Sequence, residues 1–339
     1  MRYLNTVYVR EHRARIAHRR GALLISLPSG KNRIPLEAVD ALVLLGGAQI
    51  TIQAIDACVR RGVRVAALTM GGTVRFAVGG PTSGNVHLRL AHYRAVESDD
   101  HSLRISKIIV AAKLQNSSRV VGRWGRDERD SFRSEGLGRR SEQIRERVAR
   151  LAGASSPDHV RGIEGDAARV YFRALGIALS TSHLEFRERT RRPPRDPVNA
   201  MLGFCYGLLV TELIGAVEAL GLDYQMGFLH RPRSGRPSLA LDLAEELRAL
   251  ADRFVVGLVR RRQIGPENFH ETPGGGVYLT NDGRKSLLQA WERDKDRELQ
   301  HRILGRWVER WALPLVQATL LARHLRGDLP AYPAFVMAP

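Results

Sequence analysis

The stretch LGGAQITIQAIDACVRRGVRVAALTMGG, residues 45–72, places one short helical pattern between two glycine-rich turns. Its apolar residues Ile52, Ile55 and Val59 recur three and four positions apart, and the pattern stops at Gly62, as in a short amphipathic helix. Around this helix the chain has short runs of branched residues separated by turn-forming residues; the runs are TVYVRE, ARIAHR, ALLISL, ALVLLG and TVRFAV. The N-terminal part of the chain is therefore predicted to be a small β-rich domain.

Beyond about residue 91 the pattern of apolar residues becomes helical. Long segments have apolar residues three and four positions apart, at 102–121, 165–179, 198–220, 240–261 and 296–325. Glycine runs on either side of Val277 to Thr280 indicate a small β-hairpin between the last two segments. The predicted fold class is α+β, with a β-rich domain at 1–90, a larger and mainly α-helical domain at 91–329, and a C-terminal tail at 330–339.

The composition is strongly basic. The 339 residues include 53 Lys and Arg against 35 Asp and Glu, which gives a net charge of +18 and a pI near 10.9. An excess of this size indicates a polyanionic partner and says nothing about the fold.

The cysteines and the N-terminus favour a cytoplasmic protein. Cys58 and Cys205 are far apart and form no CxxC motif, so neither a disulfide framework nor a cysteine-rich zinc site is expected. The N-terminus lacks the apolar region and cleavage site of a secretory signal. The apolar stretch 201–222 contains Glu212 and Glu218, so it is predicted to be a buried helix and no membrane contact is expected.

A second stretch, GFLHRPRSGRPSLALDLAEELR at residues 227–248, joins a turn-rich loop to a predicted helix. Residues three or four positions apart share a helix face, so Asp242 lies beside Glu245 and Glu246. A charged outer face neutralised by a nearby arginine would also explain the acids, and a hydrogen-bonded structural residue would explain His230. This stretch alone does not define a site.

A third stretch, RGIEGDAARVYFRALG at residues 161–176, adds a glutamate. Glu164 is expected in the first turn of a helix, where the helix dipole by itself would favour an acid. Together with the imidazole of His230 and the carboxylate pair, however, Glu164 completes a workable set of ligands for a divalent ion. Carboxylates suit Mg²⁺ and Mn²⁺, and the imidazole shifts the preference towards Mn²⁺ or a softer ion. In a strongly basic chain such an ion indicates phosphodiester chemistry.

Three segments in this order, IEGDAARVYF, RRPPRDPVNAMLGFCYGLLVTEL and GFLHRPRSGRPSLALDLAEELR, resemble the CRISPR-associated endonuclease and integrase of the adaptation step, the CRISPR-associated protein one family. Residues 45–72 and the AAKLQN at 111–116 are similar to the same family, so the resemblance covers nearly the whole chain. It implies a sandwich-like N-terminal domain, a helical catalytic domain and a homodimer formed largely through the N-terminal domains.

The resemblance also implies a site and a reaction. Glu164, His230 and Glu245 would bind one Mn²⁺ or Mg²⁺, with Asp242 next to the ion and a one-residue shift to Glu246 left open. A small ferredoxin-like CRISPR-associated protein would be the adaptation partner. The complex would capture short foreign double-stranded DNA and join its 3′-hydroxyls to the CRISPR repeat by transesterification.

Candidate DNA contacts lie in the basic loops and at a few further positions. The segment 186–197 clusters arginines before a helix, as a backbone contact would, and a solvated loop has the same composition. Tyr171 and Asn199 lie at positions that the family also uses, with core packing and a turn amide as the alternatives. Lys113 and Asn116 face either the site or solvent. The predicted DNA contacts are Lys113, Tyr171, Arg187, Arg189, Arg191, Arg192, Arg195, Asn199, Arg231, Arg233 and Arg236.

Two other functions stay open at this point. A basic DNA-binding scaffold without catalysis would account for the charge alone. A metal-dependent phosphoesterase acting on nucleotides would account for the acids and the imidazole. The tryptophans are expected to be packing residues; they are Trp124, Trp291, Trp307 and Trp311.

Overall fold

The structure, a computed structural model, describes residues 6–72, 74–79 and 86–338. The chain divides into two compact units, Met1–Ser83 and Gly84–Pro339.

The first unit contains two four-stranded sheets and one helix. Its elements are β1 (Thr6–Val9), β2 (Arg15–Arg19), β3 (Ala22–Leu27), β4 (Gly30–Pro35), β5 (Ala41–Leu45), β6 (Gln49–Ile50), α1 (Ile52–Arg60), β7 (Arg64–Leu68) and β8 (Val74–Val78). One sheet has the order β1-β5-β7-β8, in which β5 pairs parallel with β1 and β7, and β8 pairs antiparallel; the other has the order β4-β3-β2-β6. Each predicted strand run contains an observed strand, and α1 is the predicted helix.

The two sheets share one core. Ile16 and Leu23 from one sheet and Leu42 and Val65 from the other are fully buried in a single cluster that also includes Cys58 of α1. Because alternate residues of a strand point to opposite faces, one face of each sheet lines this core. Burial of each such aliphatic side chain contributes about 1.5–3 kcal/mol. The first unit is therefore β-rich and sandwich-like, as predicted.

The second unit is mainly α-helical. Its helices are α2 (Val86–Glu97), α3 (Asp99–Arg126), α4 (Ser131–Arg150), α5 (Pro157–Ala178), α6 (Pro197–Ala219), α7 (Ser238–Arg260), α8 (Asn281–Lys295) and α9 (Leu313–Leu325), and its strands are β9 (Phe269–Glu271), β10 (Val277–Leu279), β11 (Glu298–His301) and β12 (Arg306–Glu309). Helix α3 packs against α4, α5 and α7, while α6 packs against α7 and α9. The predicted order of a β-rich part followed by a larger helical part is confirmed.

The helical unit begins earlier than predicted. Helix α2 starts at Val86, so the predicted boundary at residue 90 falls inside it. Its buried residues Leu88, His92 and Ala95 are spaced three and four positions apart. Barely one turn of this pattern precedes residue 91, which is too short to stand out in the sequence.

Helix α6 contains the most apolar segment of the chain. Its length and composition would allow it to cross a membrane, but 72% of its most apolar window is buried inside the protein. Glu212, one of the acids that interrupt the segment, accepts the Trp291 Nε1–H at 3.2 Å and lies 3.5 Å from Lys295 Nζ. Helix α6 is the buried helix that the sequence predicts.

The segment predicted as one helix at 296–325 is a hairpin followed by a shorter helix. Strands β11 and β12 pair antiparallel, Gly305 between them has a φ of 63°, and α9 starts only at Leu313. Apolar residues four positions apart from Leu299 to Trp307 imitate a helical pattern, which explains the error. The other hairpin, β9–β10, confirms the one predicted near residues 277–280.

The tryptophans do not all pack inside the protein. Trp124 and Trp291 have 3% and 0% of their surface exposed, as predicted. Trp311 is half-buried. Trp307 is 65% exposed on the β11–β12 hairpin, so its prediction as a packing residue is wrong.

The residues predicted as a C-terminal tail, 330–339, are packed into the second unit as far as residue 338. Tyr332 and Phe335 have 2% and 0% of their surface exposed. Asn116 of α3 holds this segment, since its Nδ2 donates to Phe335 O at 2.9 Å and its Oδ1 accepts the Met337 N–H at 2.8 Å. Asn116 is therefore a buried structural residue.

Both cysteines are free and fully buried, Cys58 in the first unit and Cys205 in α6. Burial raises the pKa of the Cys58 thiol to about 11. The thiol is protonated at neutral pH and is a poor nucleophile, as the sequence indicated.

A buried histidine in α2 makes stability depend on pH. His92 has 0% of its surface exposed, and its Nε2 donates to Met226 O at 2.8 Å. Burial lowers the pKa of His92 from 6.5 to about 4, although that hydrogen bond and nearby Asp223 favour the charged form. The unfolded chain binds this proton at a higher pH than the folded chain does. The contribution of neutral, buried His92 to the free energy of unfolding is therefore fully present above pH 6.5 and is lost as the pH falls towards 4.

We expect this residue to remove roughly 3 kcal/mol from the unfolding free energy of the wild type over that pH range. His92→Gln keeps a donor for Met226 O but has no proton to gain, so its stability should fall less. Urea unfolding of both proteins at several pH values measures the difference. His159→Gln, at an exposed position, should follow the wild-type profile, and identical profiles for His92→Gln and wild type would contradict the prediction.

Candidate active site

Three helices of the second unit each contribute one charged side chain to a buried cluster. Lys113 of α3, Glu164 of α5 and Glu245 of α7 have 14%, 24% and 5% of their side-chain surface exposed. The Lys113 Nζ lies 2.5 Å from Glu245 Oε2 and also contacts Glu164 Oε1. The fold therefore brings two of the three predicted metal ligands together at one ammonium group.

The charges of this cluster stabilise one another. Burial alone would raise the pKa of Glu245, but the Arg248 guanidinium, 2.9 Å from Oε1, and the Lys113 ammonium hold it well below its usual range. Burial would lower the pKa of Lys113, but Glu245 and Glu164 raise it above its usual value. Glu245 and Lys113 are therefore both charged at neutral pH.

Asp242 organises the loop that carries His230. Its fully buried carboxylate accepts the backbone N–H groups of Phe228, Leu229 and His230 at 2.6, 3.0 and 2.9 Å. It also accepts the Nδ1–H of the His230 ring at 2.6 Å, which leaves Nε2 as the nitrogen that can bind a ligand. A Cβ at Gly227 would lie 2.7 Å from His230 O, so the close turn requires glycine. Asp242 thus positions His230.

Glu246 points towards the C-terminal segment. Its carboxylate accepts the Tyr332 hydroxyl, the Phe335 N–H and, at 3.1 Å, the Gln317 Nε2–H. Burial raises the pKa of Glu246 to about 7 in spite of these hydrogen bonds. Because consecutive helix residues point about 100° apart, Glu246 diverges from the cluster and Glu245 is the residue that faces it.

Glu164 lies deeper in its helix than the sequence indicates. Helix α5 begins at Pro157 with Ser156 as its N-cap, which places Glu164 two turns beyond the start. The helix dipole acts within the first turn, so it does not account for this acid. The partner of Glu164 is the Lys113 ammonium instead.

The side chains at this cluster have the chemistry of ligands for a divalent ion, although they are not arranged in the geometry of a metal site. Within the described residues, no group of three or more His, Cys, Asp or Glu side chains is arranged to hold a metal. Glu245 Oε2 is buried and makes no hydrogen bond, while the Lys113 ammonium pairs with it by charge. Two carboxylates and an imidazole whose other nitrogen is held by Asp242 form a donor set that Mn²⁺ and Mg²⁺ accept.

Arg191 is exposed and adjoins the cluster. It lines a small cavity of about 30 Å³ together with Lys113, Glu164, Tyr206 and Arg248. A guanidinium at this place can reach a phosphate that approaches the carboxylates.

The other predicted arginines of segment 186–197 differ in their partners and in their exposure. Arg187 pairs with Glu185 at 2.6 Å, and Arg192 is exposed. Arg195 donates to Gly274 O at 3.2 Å, and Arg189 is half-buried. Their neighbours in the second basic loop differ in the same way: Arg231 pairs with Asp158 at 2.5 Å, Arg233 is exposed and Arg236 is half-buried.

Three predicted DNA contacts are internal. The Tyr171 hydroxyl donates to Asp252 Oδ2 at 2.8 Å, and Tyr171 is 5% exposed. Asn199 is fully buried and its Oδ1 accepts Arg189 Nη1–H at 2.7 Å, so it is the turn amide considered as the alternative. Lys113 contacts carboxylates. Tyr171 and Asn199 are buried, and Lys113, whose side chain is 14% exposed, is paired with the two carboxylates.

Tyr206 and Asp252 lie beside the cluster but were not among the predicted site residues. Arg248 was considered only as a surface charge that neutralises the acids. Asp252 accepts the Tyr206 hydroxyl at 2.5 Å, and the Arg248 guanidinium lies 4.8 Å from the centre of the Tyr206 ring. Arg248 and Asp252 follow Glu245 by three and seven positions, so the three share one face of α7. Extending that face beyond the acidic motif would have identified both residues from the sequence.

Comparison with protein families gives one match that spans most of the chain. Residues 7–293 match the family described as CRISPR associated protein Cas1. A protein of Rhodospirillum rubrum named CRISPR-associated endonuclease Cas1 2 is 41% identical, with 97% of each chain covered. One of Moorella thermoacetica, CRISPR-associated endonuclease Cas1 1, is 37% identical, with 98% of each covered.

Solved structures have the same fold. A Cas1 protein from Thermotoga maritima superposes with a TM-score of 0.81 at 22% identity, covering 95% of this chain and 97% of that one. A casposase bound to its integration product gives a TM-score of 0.83 at 21% identity, with 96% and 91% covered. A chain of a Cas6-RT-Cas1–Cas2 complex gives 0.80 at 19% identity, with 98% and 36% covered. By the family match and the identity to these relatives, the chain belongs to the Cas1 family of CRISPR-associated proteins.

Proposed function

We propose that this chain is a metal-dependent DNA integrase and endonuclease of CRISPR adaptation. It joins the 3′-hydroxyl ends of short foreign DNA duplexes to phosphodiesters at the ends of the CRISPR repeat. The supporting observation is the convergence of Glu164 and Glu245 at the Lys113 ammonium, with the His230 ring bound to Asp242, three positions before Glu245 on α7. The names of the endonuclease relatives and of the casposase neighbour support the same class of activity.

The side chains around the cluster have separate tasks in this reaction. Glu164, His230 and Glu245 would hold a Mn²⁺ or Mg²⁺ ion, and the chemistry supplied there would be Lewis-acid polarisation of the scissile phosphate. Asp242 holds the His230 ring through Nδ1 and leaves Nε2 as the nitrogen available to the ion. Arg248 keeps Glu245 ionised, as a ligand carboxylate must be. Arg191 contacts the phosphate and offsets the negative charge that develops on it.

Transesterification conserves the number of phosphodiester bonds. The oxygen of the incoming 3′-hydroxyl bonds to the repeat phosphorus while the bond from that phosphorus to the repeat's own 3′-oxygen breaks. The proton of the incoming hydroxyl passes through water to the leaving oxygen. The exchange needs no external energy source, so orientation and charge stabilisation are sufficient contributions from the protein.

We further propose that the chain acts in the cytoplasm as a homodimer through its first unit, with a small ferredoxin-like adaptation partner and double-stranded DNA. The structural neighbour that contains Cas1 together with Cas2 supports a protein partner. The net charge of +18 supports the DNA. Two free, buried cysteines suit a reducing compartment.

The test incubates the protein and its partner with a short duplex and a supercoiled plasmid that carries a leader and repeat. Joined product should form with Mn²⁺ or Mg²⁺ and disappear with EDTA. A duplex with 2′,3′-dideoxy ends is the matched control, because it lacks only the attacking hydroxyl and should bind equally well without joining.

Two outcomes would overturn the proposal. Tight, salt-sensitive DNA binding without joined product under any metal would identify a non-catalytic scaffold. Metal-dependent hydrolysis of free nucleotides without joining would identify a phosphoesterase.

Arg191→Gln should slow joining by about tenfold and lower the salt slope of DNA binding by about 1, because it removes one charge-assisted phosphate contact. The adjacent Arg192→Gln removes the same charge at an exposed position outside the lining of the small cavity. It should change the joining rate by less than about twofold. Fluorescence anisotropy at several salt concentrations and the joining assay measure both effects. Equal losses in the two variants would exclude a specific contact at Arg191.

A further inference from the structure

A larger cavity lies in the second unit, away from the carboxylates. Its volume is about 260 Å³, and it is lined by residues of α3, α7 and α8 and of the β11–β12 hairpin. Six of the lining residues are arginines, against two aspartates, Asp127 and Asp294; the arginines are Arg123, Arg253, Arg260, Arg261, Arg297 and Arg310. We call it the arginine cavity.

The positive charge of the arginine cavity is only partly neutralised. Asp294 pairs with both Arg310 and, at 3.2 Å, Arg297. Arg310 is 8% exposed, and its guanidinium lies 4.0 Å from the centre of the Trp291 ring. Packing therefore fixes the position of this side chain in the cavity wall. Within the described part of the chain, Arg253 and Arg261 form no ion pair, although both are exposed.

Arg261 is accommodated by a glycine inside a helix. Gly257 is in the last turn of α7, where glycine is less favourable than alanine. A Cβ at this position would lie 3.1 Å from both terminal nitrogens of Arg261. The glycine therefore leaves room for the guanidinium to lie against the helix at the cavity wall.

Helix α7 connects the arginine cavity to the carboxylates. Glu245 and Gly257 are on the same helix, about 18 Å apart along its axis at 1.5 Å per residue and about a third of a turn apart around it. One DNA strand covers that distance in about five nucleotides at 3.4 Å each. Trp124 lines the arginine cavity and its ring centre lies 5.9 Å from that of Tyr171, which lines the small cavity.

We infer that the arginine cavity binds a phosphate group of the DNA strand whose scissile or terminal phosphate lies at the carboxylate cluster. The inference rests on the proposed function and adds a second anchoring point along the strand. Guanidinium groups recognise phosphate oxygens through paired N–H donors, and the cavity is large enough for one phosphate with its sugar oxygens. A free phosphate or nucleotide has the same chemistry, so the experiment separates the two sources.

The experiment compares Arg253→Gln/Arg261→Gln with a matched control, Arg104→Gln/Arg293→Gln. The control residues are likewise exposed arginines, but they do not line the cavity. Binding of a labelled duplex is measured by fluorescence anisotropy between 50 and 300 mM salt without added metal, at roughly the range where phosphate contacts dominate. The cavity variant should bind about tenfold more weakly and lose about 1–2 from the salt slope, and the control should lose less than half as much.

Gly257→Ala guards against loss of the fold. It should leave the thermal midpoint unchanged or higher, because alanine favours the helix, while its Cβ shifts the Arg261 guanidinium and weakens DNA binding by less than the cavity variant does. Equal losses of DNA affinity in the cavity and control variants would overturn the inference. DNA affinity that is unchanged in both Gly257→Ala and the cavity variant would also overturn it.

A second arm titrates inorganic phosphate and dAMP against the thermal midpoint. Stabilisation of wild type but not of the cavity variant, with an unchanged DNA salt slope, would overturn the DNA source in favour of a free phosphate ligand. Joining is assayed separately. A wild type that fails to join DNA while its binding still depends on the arginine cavity would refute the proposed function and leave the cavity assignment in place.

Discussion

Glu164→Gln is expected to abolish strand joining, with a rate at least about 1,000-fold lower, while the affinity for duplex DNA changes by less than about threefold. The substitution keeps the size of the side chain and removes its charge. A neutral amide is a poor ligand for Mn²⁺ or Mg²⁺. It also leaves Lys113 with Glu245 as its remaining carboxylate partner in the cluster.

DNA affinity should survive because the arginines supply it. Phosphate contacts account for most of the affinity of a basic protein, and Glu164 makes none. Joining and duplex binding are measured in parallel, together with the shift in thermal midpoint that Mn²⁺ produces. Wild type should be stabilised by the ion and Glu164→Gln should not, which gives a readout independent of catalysis.

Glu146→Gln is the matched control, since Glu146 is exposed on α4. It should behave as wild type in all three measurements. Normal joining by Glu164→Gln would remove Glu164 from the active site. Loss of duplex binding by the same variant would show that the residue acts on the fold or on the DNA path.

Asp242→Ala is expected to lower the free energy of unfolding by about 3–5 kcal/mol. The carboxylate accepts three consecutive backbone N–H groups and the His230 ring, and it is fully buried. Alanine removes every one of these acceptors at once. The backbone N–H groups that lose their acceptor lie in a loop that the tight turn at Gly227 keeps close to α7. Water therefore cannot easily replace the carboxylate.

Urea unfolding measures this loss, with Asp328→Ala as the control. Asp328 pairs with Arg326 at 2.8 Å on the surface, where such a pair contributes less than about 1 kcal/mol. Asp242→Ala should also stop joining, because His230 loses its orientation. A loss of stability no greater than that of the control would mean that the loop is held by other contacts.

Local spacing predicted the parts of the site that lie within one segment. Asp242 and Glu245 are three positions apart, so a helix of any kind places them on one face. The loop before them brought His230 into reach of the same helix. The choice between Glu245 and Glu246 could not be made from local spacing. It depends on the hydrogen bond from Tyr332 to Glu246, and the motif around Glu246 contains no information about so distant a residue.

Contacts between distant segments were beyond the sequence. Lys113 was expected either at the site or in solvent, and nothing in AAKLQN reveals that two carboxylates from other helices meet its ammonium. The six arginines of the arginine cavity come from three separate parts of the chain, and nothing in the sequence indicates that Arg123, Arg297 and Arg310 meet the arginine run at 260–262. The hairpin at Leu299 to Trp307 was missed because a four-residue repeat of apolar side chains satisfies the helical period.

The ammonium of Lys113 has one further consequence. In many metalloproteins the ligand carboxylates repel one another until an ion arrives, so folding and loading are a single event. Here the Lys113 ammonium and the Arg248 guanidinium already offset the charges of Glu164 and Glu245. The polypeptide can therefore fold without an ion, and in the proposed reaction the ion would enter a chain that is already folded.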